Sequence, residues 1–336
     1  MPDKTGLLLV NLGSPDKPTA RAVRPYLFEF LHDRRVIDTS RWIWCPVLHG
    51  IILRTRPAKS ARLYAKIWNQ PEHIPGHEAP LVRITRTQAD GIKTHLGGDI
   101  EVDVAMRYGN PSLSLGFDRL LAKGCKRVAV LPMYPQYAGP TSASVYDGVF
   151  KALRTRTNMP DIRILRDYHD HPGYIRLLAD SIRKDIEHQG WEPDVVLASY
   201  HGMPQRYVDK GDPYARECKR TTQLLRAALD WSDTRIQMSF QSRFGPLPWL
   251  QPYTDVVLAG MPGRGHTSVM VITPGFSADC LETLEEINME ARKVFMESGG
   301  EKFAYIPCLN ADEEHMRFLA GLVKDRLLAG WLDRIE

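Results

Sequence analysis

A chain of 336 residues with 43% apolar, 25% charged and 9% aromatic side chains holds enough material for two folded domains and is too apolar for a disordered one. Its 44 Lys and Arg against 40 Asp and Glu leave a formal net charge of +4, with no basic run of five or more, so nucleic acid is not an expected partner. Five scattered cysteines, without a Cys-x-x-Cys pair, argue against a disulfide framework or a cysteine-built metal centre and fit reduced thiols in the cytoplasm.

The N-terminus carries Asp3 and only a short apolar run before Asn11, so it reads as a first strand, at 7–12, rather than an export signal. Nothing approaches 18 uninterrupted apolar residues, and no helix is predicted to span a bilayer. Segment 41–53, RWIWCPVLHGIIL, stands apart. It reads either as a buried helix pair or as an apolar lip that touches a flat hydrophobic ligand or a membrane surface. Strands follow at 102–107, 128–133, 162–166, 195–200, 236–240, 269–273 and 303–306, with helical patterns at 112–121, 173–188, 215–229 and 279–296. Runs such as VAVLPM and VVLASY are apolar throughout, as strands covered on both faces must be. Strand alternating with helix predicts parallel sheets with right-handed crossovers.

Eight strands divide into four and four, and the halves echo one another: RVAVLPMYPQYAG resembles SVMVITPGFSADC, and DVAMRYGNPSL resembles IQMSFQSRFGPLPWL. The expected architecture is α/β, with two similar Rossmann-like domains at 1–157 and 158–336. Each is a four-stranded parallel sheet flanked by helices, and the last helix is expected to pack back on the first domain.

Ligands of open parallel sheets bind beyond the carboxyl ends of the strands. There the sequence places Asn11-Leu12-Gly13, Arg107-Tyr108-Gly109, Tyr134-Pro135-Gln136-Tyr137, His201-Gly202, a stretch from Gln241 to Trp249, and Pro274-Gly275-Phe276. These loops are rich in aromatics, with single His and Arg residues among them, which suits a large flat ligand. Phosphate-binding glycine loops and a nucleophile elbow are absent. His201, one step beyond VVLASY, is either a structural histidine or a group that takes a proton or binds a borderline metal. Glu282, Glu286 and Glu290 fall at i, i+4 and i+8. With Asp279 three residues ahead of Glu282, they read as a capping box and the solvated face of an amphipathic helix. The rival reading is a conduit for divalent cations or protons, because like charges at i, i+4 destabilise a helix.

Nearly the whole chain resembles the ferrochelatases, which insert Fe²⁺ into a porphyrin to make haem. The resemblance rests on LLLVNLGSP, FLHDRRVID (30–38), MYPQY (133–137), SYHGMPQRYVDKGDPY (199–214), FQSRFGPLPWLQPYTD (240–255) and PGFSADCLETLEEI (274–287). It implies a chelatase-like pair of domains with a cleft between them. It makes His201 and Glu282 the catalytic, metal-binding pair, with Asp279, Glu286 and Glu290 on a metal or proton path. Leu12, Lys66, Arg107, Tyr108, Tyr134, Tyr137, Ser199, Trp249 and Phe276 are implied for the porphyrin. Where coproporphyrin-using relatives carry a tyrosine this chain has Leu12, which points to protoporphyrin. Where some relatives have a histidine it has Cys280.

The resemblance further implies Fe²⁺ as substrate, no tightly bound cofactor and, for want of C-terminal cysteines, no iron–sulfur cluster. It also implies a monomer in the cytoplasm, touching the inner face of the membrane through 41–53. The alternatives are a chelatase for another tetrapyrrole or for Co²⁺ or Ni²⁺, which a metal-competition assay separates, and a non-catalytic tetrapyrrole carrier, which binds without turnover.

Overall fold

The computed structural model describes residues 4–68, 78–98 and 100–331. The chain forms two compact units. One runs to Met133 and takes in Gly139–Asp167 and the segment from Ala311; the other comprises Tyr134–Ala138 and Tyr168–Asn310.

The first unit is built from β1 (Lys4–Asn11), α1 (Ala20–His32), α2 (Arg41–Val47), α3 (Leu53–Trp68), α4 (Pro80–Leu96), β2 (Ile100–Met106), α5 (Leu113–Ala122), β3 (Cys125–Pro132), α6 (Ser144–Leu153) and β4 (Asp161–Ile164). Its strands are all parallel, in the order β2-β1-β3-β4. The central strand β1 buries Leu7, Leu8, Leu9 and Val10 completely, which is why its sequence shows an unbroken apolar run rather than alternation. Thr19 and Ser112 cap α1 and α5, accepting hydrogen bonds from the backbone N–H groups of Ala22 and Leu115.

Segment 41–53 is part buried and part exposed. It consists of α2, a π turn over Leu48–Ile52, and the start of α3. Trp44 and Leu48 are buried, and the Trp44 indole donates to the carbonyl of Leu31 at 2.7 Å. Trp42 is 89% exposed, and Ile43 and Ile51 also face solvent. Among the described residues no helix is long and apolar enough to cross a membrane.

The second unit contains α7 (Pro172–Gln189), β5 (Val195–His201), α8 (Gln205–Asp209), α9 (Tyr214–Leu229), β6 (Ile236–Gln241), α10 (Thr254–Gly260), β7 (Ser268–Ile272), α11 (Leu281–Leu284), α12 (Arg292–Glu297) and β8 (Lys302–Tyr305). Its parallel order, β6-β5-β7-β8, is the order of the first sheet with each strand advanced by four. The last helix, α13 (Glu313–Arg326), belongs to the first unit and packs on α4, where Lys324 Nζ donates to the carbonyl of His95 at 3.0 Å.

Two details differ from the sequence reading. The units divide at Asp167 and Tyr168 rather than at 157/158, because 161–164 pairs with β3 as the fourth strand of the first sheet. The expected single helix at 279–296 is broken into α11, a π segment over Glu286–Ala291, and α12.

Candidate active site

In the second unit three strand ends supply the site. The backbone of His201, last residue of β5, is in register with Gln241, last residue of β6. His201 Nδ1 lies 2.6 Å from the carbonyl oxygen of Gly202. A carbonyl only accepts, so Nδ1 carries the ring proton and Nε2 keeps its lone pair. The half-buried ring is thus oriented with a base at its far edge.

Gly202 is held beneath the loop that follows β6. Its N–H donates to the Gln241 carbonyl at 2.7 Å, and a Cβ there would lie 2.5 Å from that oxygen and 3.1 Å from the Trp249 ring. Leu250 N–H donates to the Met203 carbonyl, and Trp249 Nε1 to the carbonyl of Phe244. Only a glycine allows the turn carrying His201 to lie this close.

Glu282 and Glu286 come from the segment after β7. Gln241 Nε2 donates to the backbone carbonyl of Glu282 at 2.7 Å, and Gln241 Oε1 accepts from the buried Ser199 hydroxyl at 2.8 Å. Ser199 therefore acts from behind, in a hydroxyl chain with Thr254 and Ser239, and fixes where Glu282 starts. The Glu286 carboxylate accepts from the N–H of Ser242 at 2.6 Å and from its hydroxyl at 2.5 Å. Ser242 has φ of 63°, a left-handed conformation that non-glycine residues rarely adopt and that tends to mark functional sites.

Burial pushes the Glu286 carboxyl above its ordinary value, and the charge of Glu282 adds to this; Ser242 and the nearby His201 oppose without cancelling it. His201, Glu282 and Glu286 thus form one electrostatic group. The folded state disfavours ionised Glu286. The stability of the neutral form is complete below the unfolded carboxyl pKa, near 4.3, and is lost as pH rises through the higher folded value. Glu286→Gln is accordingly expected to melt at a higher temperature than wild type at pH 7–8, with the advantage shrinking to nothing towards about pH 4. Thermal melts at both pH values check this.

Exposure rises along the acidic row: Glu282 and Glu286 are half-buried and Glu290 faces solvent. In a regular α-helix, residues i and i+8 drift about 80° around the axis. The wider π segment that starts at Glu286, in which Glu290 N–H reaches the Glu285 carbonyl, turns less per residue and so counteracts that drift.

Asp279 plays another part from the one expected of it. It is 1% exposed, and its carboxylate accepts from Tyr305 Oη at 2.5 Å, Thr283 Oγ1 at 2.9 Å and Asn310 Nδ2 at 2.7 Å. It anchors the start of α11 rather than extending the acidic row. The capping box there is formed by Cys280 and Thr283, not by Asp279 and Glu282. Burial, with Glu282 alongside, pushes the Cys280 thiol well up, so it stays neutral near pH 7 and packs as a small apolar group.

Of the expected pocket residues, Tyr134, Tyr137, Trp249 and Phe276 are half-buried in the second unit, at or near its strand ends. Tyr137 N–H is held by the buried carboxylate of Glu217 at 2.7 Å. In the first unit Leu12 is half-buried beyond β1 and Lys66 is exposed on α3. Arg107 and Tyr108 are tied into a network absent from the sequence reading. Asp33 Oδ2 accepts from Arg107 at 2.5 Å, Tyr108 Oη at 2.8 Å and Ser144 Oγ at 2.5 Å. Burial raises the Asp33 carboxyl, but Ser144, the backbone N–H of Arg35, Tyr108 and Arg107 together outweigh it and hold it below the usual range. Tyr108 is 1% exposed, so its ring packs inside the first unit and supports the loop around it from within.

Gln241 and Ser242 lie in a strand-end stretch that the sequence reading marked as a loop but to which it gave no role; Gln241 ends β6 and holds the Glu282 carbonyl, and Ser242 holds the Glu286 carboxylate.

An α/β pair of four-stranded parallel sheets, with a histidine and carboxylates gathered at the strand ends of one, defines the chelatase class. The fold is shared with SirB from Bacillus subtilis, solved with Fe³⁺, at a TM-score of 0.58 and 12% identity, covering 98% of each chain. It is shared too with CbiX, the terminal enzyme of sirohaem biosynthesis in denitrifying bacteria, at a TM-score of 0.53 and 14% identity, covering 96% of this chain and 99% of that one.

The ferrochelatase family model matches residues 4–327. The ferrochelatase of Vibrio parahaemolyticus is 50% identical over 97% of this chain and 99% of its own. That of Aeromonas hydrophila is 48% identical over 96% and 98%, and that of Brucella anthropi 48% over 98% and 93%. The chain belongs to the ferrochelatase family, whose chemistry is the insertion of a metal ion into a porphyrin.

Proposed function

We propose that this chain inserts Fe²⁺ into protoporphyrin IX, giving protohaem and two protons, the last step of haem biosynthesis. The observation that carries the reading is the pairing of a bare His201 Nε2 with the Glu282 and Glu286 carboxylates at the strand ends of one sheet.

Insertion breaks two pyrrole N–H bonds and forms metal–nitrogen bonds to the same atoms, so two protons must leave. A flat porphyrin keeps its nitrogen lone pairs in the ring plane, away from an incoming ion. A site that binds a bent macrocycle better than a flat one favours the transition state. Aromatic walls, with Tyr134, Tyr137, Trp249 and Phe276 among them, supply strain on the order of 1–5 kcal/mol. Leu12, Lys66, Arg107, Tyr108 and Ser199 complete the binding set, Ser199 and Tyr108 from behind. Neutral His201 accepts a pyrrole proton at Nε2. Glu282, Glu286 and the solvent-facing Glu290 pass protons or Fe²⁺ between the site and water, with Asp279 fixing the start of the row. One imidazole and two carboxylates leave open positions on the ion, so Fe²⁺ is held in passing rather than kept.

Leu12 favours the protoporphyrin substrate. The exposed Trp42, Ile43 and Ile51 give segment 41–53 an apolar face through which a monomer in the cytoplasm meets the inner face of the membrane, where its substrate and product partition. The reading calls for no resident cofactor and no iron–sulfur cluster.

The test is anaerobic Fe²⁺ with protoporphyrin IX or coproporphyrin III, followed by the absorbance change of metalloporphyrin formation. Turnover at least tenfold faster with protoporphyrin is expected. A coproporphyrin preference overturns the substrate assignment, and stoichiometric binding without turnover overturns the reaction.

A further inference from the structure

We propose that His32 and His49, in the first unit, form a second, chelating site for a divalent ion of the borderline series from Fe²⁺ to Zn²⁺, separate from the His201 group and independent of the insertion reaction.

The two rings come from different elements: His32 lies in the last turn of α1 and His49 in the π turn between α2 and α3. Their Nε2 atoms are 3.2 Å apart. His32 Nδ1 lies 2.8 Å from the carbonyl oxygen of Phe28, so it carries the proton and leaves the His32 Nε2 lone pair aimed at its neighbour. A backbone carbonyl that orients a ring through its second nitrogen is what metal-ligating histidines ordinarily have. The Phe28 ring braces both imidazoles, at 4.1 Å from His32 and 5.7 Å from His49 between centroids.

The spacing suits chelation. Two nitrogens 3.2 Å apart, each about 2.0–2.1 Å from one ion, subtend about 100° there, between the octahedral and tetrahedral angles. In the empty pair, His49 Nε2–H donates to His32 Nε2. To bind an ion, His49 has only to move that proton to Nδ1. Imidazole nitrogens select Fe²⁺, Co²⁺, Ni²⁺, Cu²⁺ and Zn²⁺ over Mg²⁺ and Ca²⁺. His49 also lines an open groove of about 530 Å³ with Arg24, Pro25, Phe28, Leu53 and Arg54. The two arginines disfavour a bare hard cation and favour one that brings anionic ligands to its remaining positions.

The test titrates the full-length protein with Zn²⁺ alone, against a chromophoric chelator, in wild type, His32→Gln, His49→Gln and His201→Gln. Histidine ring nitrogens are followed in parallel by ¹H–¹⁵N correlation spectra. One site, present in wild type and in His201→Gln, should weaken at least tenfold in either His32→Gln or His49→Gln. The His32 and His49 Nε2 resonances of the wild type should move together at the same added Zn²⁺. The proposal is overturned if Zn²⁺ stoichiometry and affinity are unchanged in both single variants, or if only one of the two rings responds. The ring-nitrogen measurement on wild type decides the matter even if a variant fails to fold.

Discussion

Replacing His201 by alanine is expected to slow metal insertion on the order of 10²–10⁴-fold, with folding and porphyrin binding retained. The size follows from what the side chain does. Its proton sits on Nδ1, held by the Gly202 carbonyl at 2.6 Å, so Nε2 is a ready base. No neighbour can take its place without cost. Glu286 is spent on two hydrogen bonds from Ser242, and burial already raises its carboxyl. Porphyrin fluorescence quenching reports binding and metalloporphyrin absorbance reports turnover. Near-full turnover in His201→Ala would remove the proton-acceptor assignment, whereas loss of binding alone would make His201 a docking residue. Added free imidazole should restore part of the rate in His201→Ala if a base is what is missing.

Gly13→Ala should destabilise the first unit by about 3–5 kcal/mol, at the upper end of what single substitutions do. Gly13 follows β1, with φ of 99°, where a side chain is strained. A Cβ there would also sit 1.9 Å from the backbone oxygen of Tyr108. That oxygen cannot rotate away as a side chain could. Arg107 N–H donates to the Asn11 carbonyl at 2.8 Å, and Tyr108 N–H to the Leu12 carbonyl at 3.0 Å. Relieving the clash means breaking the joined ends of β1 and β2, together with the Asp33 network that holds Arg107 and Tyr108. Denaturant titration measures the loss. Gly50→Ala is the control, because a Cβ at Gly50 meets nothing within 4 Å. A Gly13→Ala protein as stable as wild type would show that the turn is not constrained in this way.

The strands, their grouping into two sheets and the placement of His201 could be read from residue order alone. A strand buried on both faces must be apolar throughout, so the runs around Leu7–Val10 and Val195–Tyr200 stand out without any partner being known. A residue just beyond such a run lies at the carboxyl edge of its sheet whatever the helices do. The remaining features depend on contacts made in the folded chain. The π segment at Glu286–Ala291 replaces an α-helix with the same apolar spacing, and the left-handed turn at Ser242 falls on a residue with no local preference for it. The sharing of one Asp33 oxygen by Arg107, Tyr108 and Ser144 joins positions more than 70 residues apart, and Asp279 becomes an anchor only because Tyr305 and Asn310 reach it. Hydrogen bonds between distant parts of a chain leave no periodic trace along it, whereas burial repeats with the geometry of the backbone.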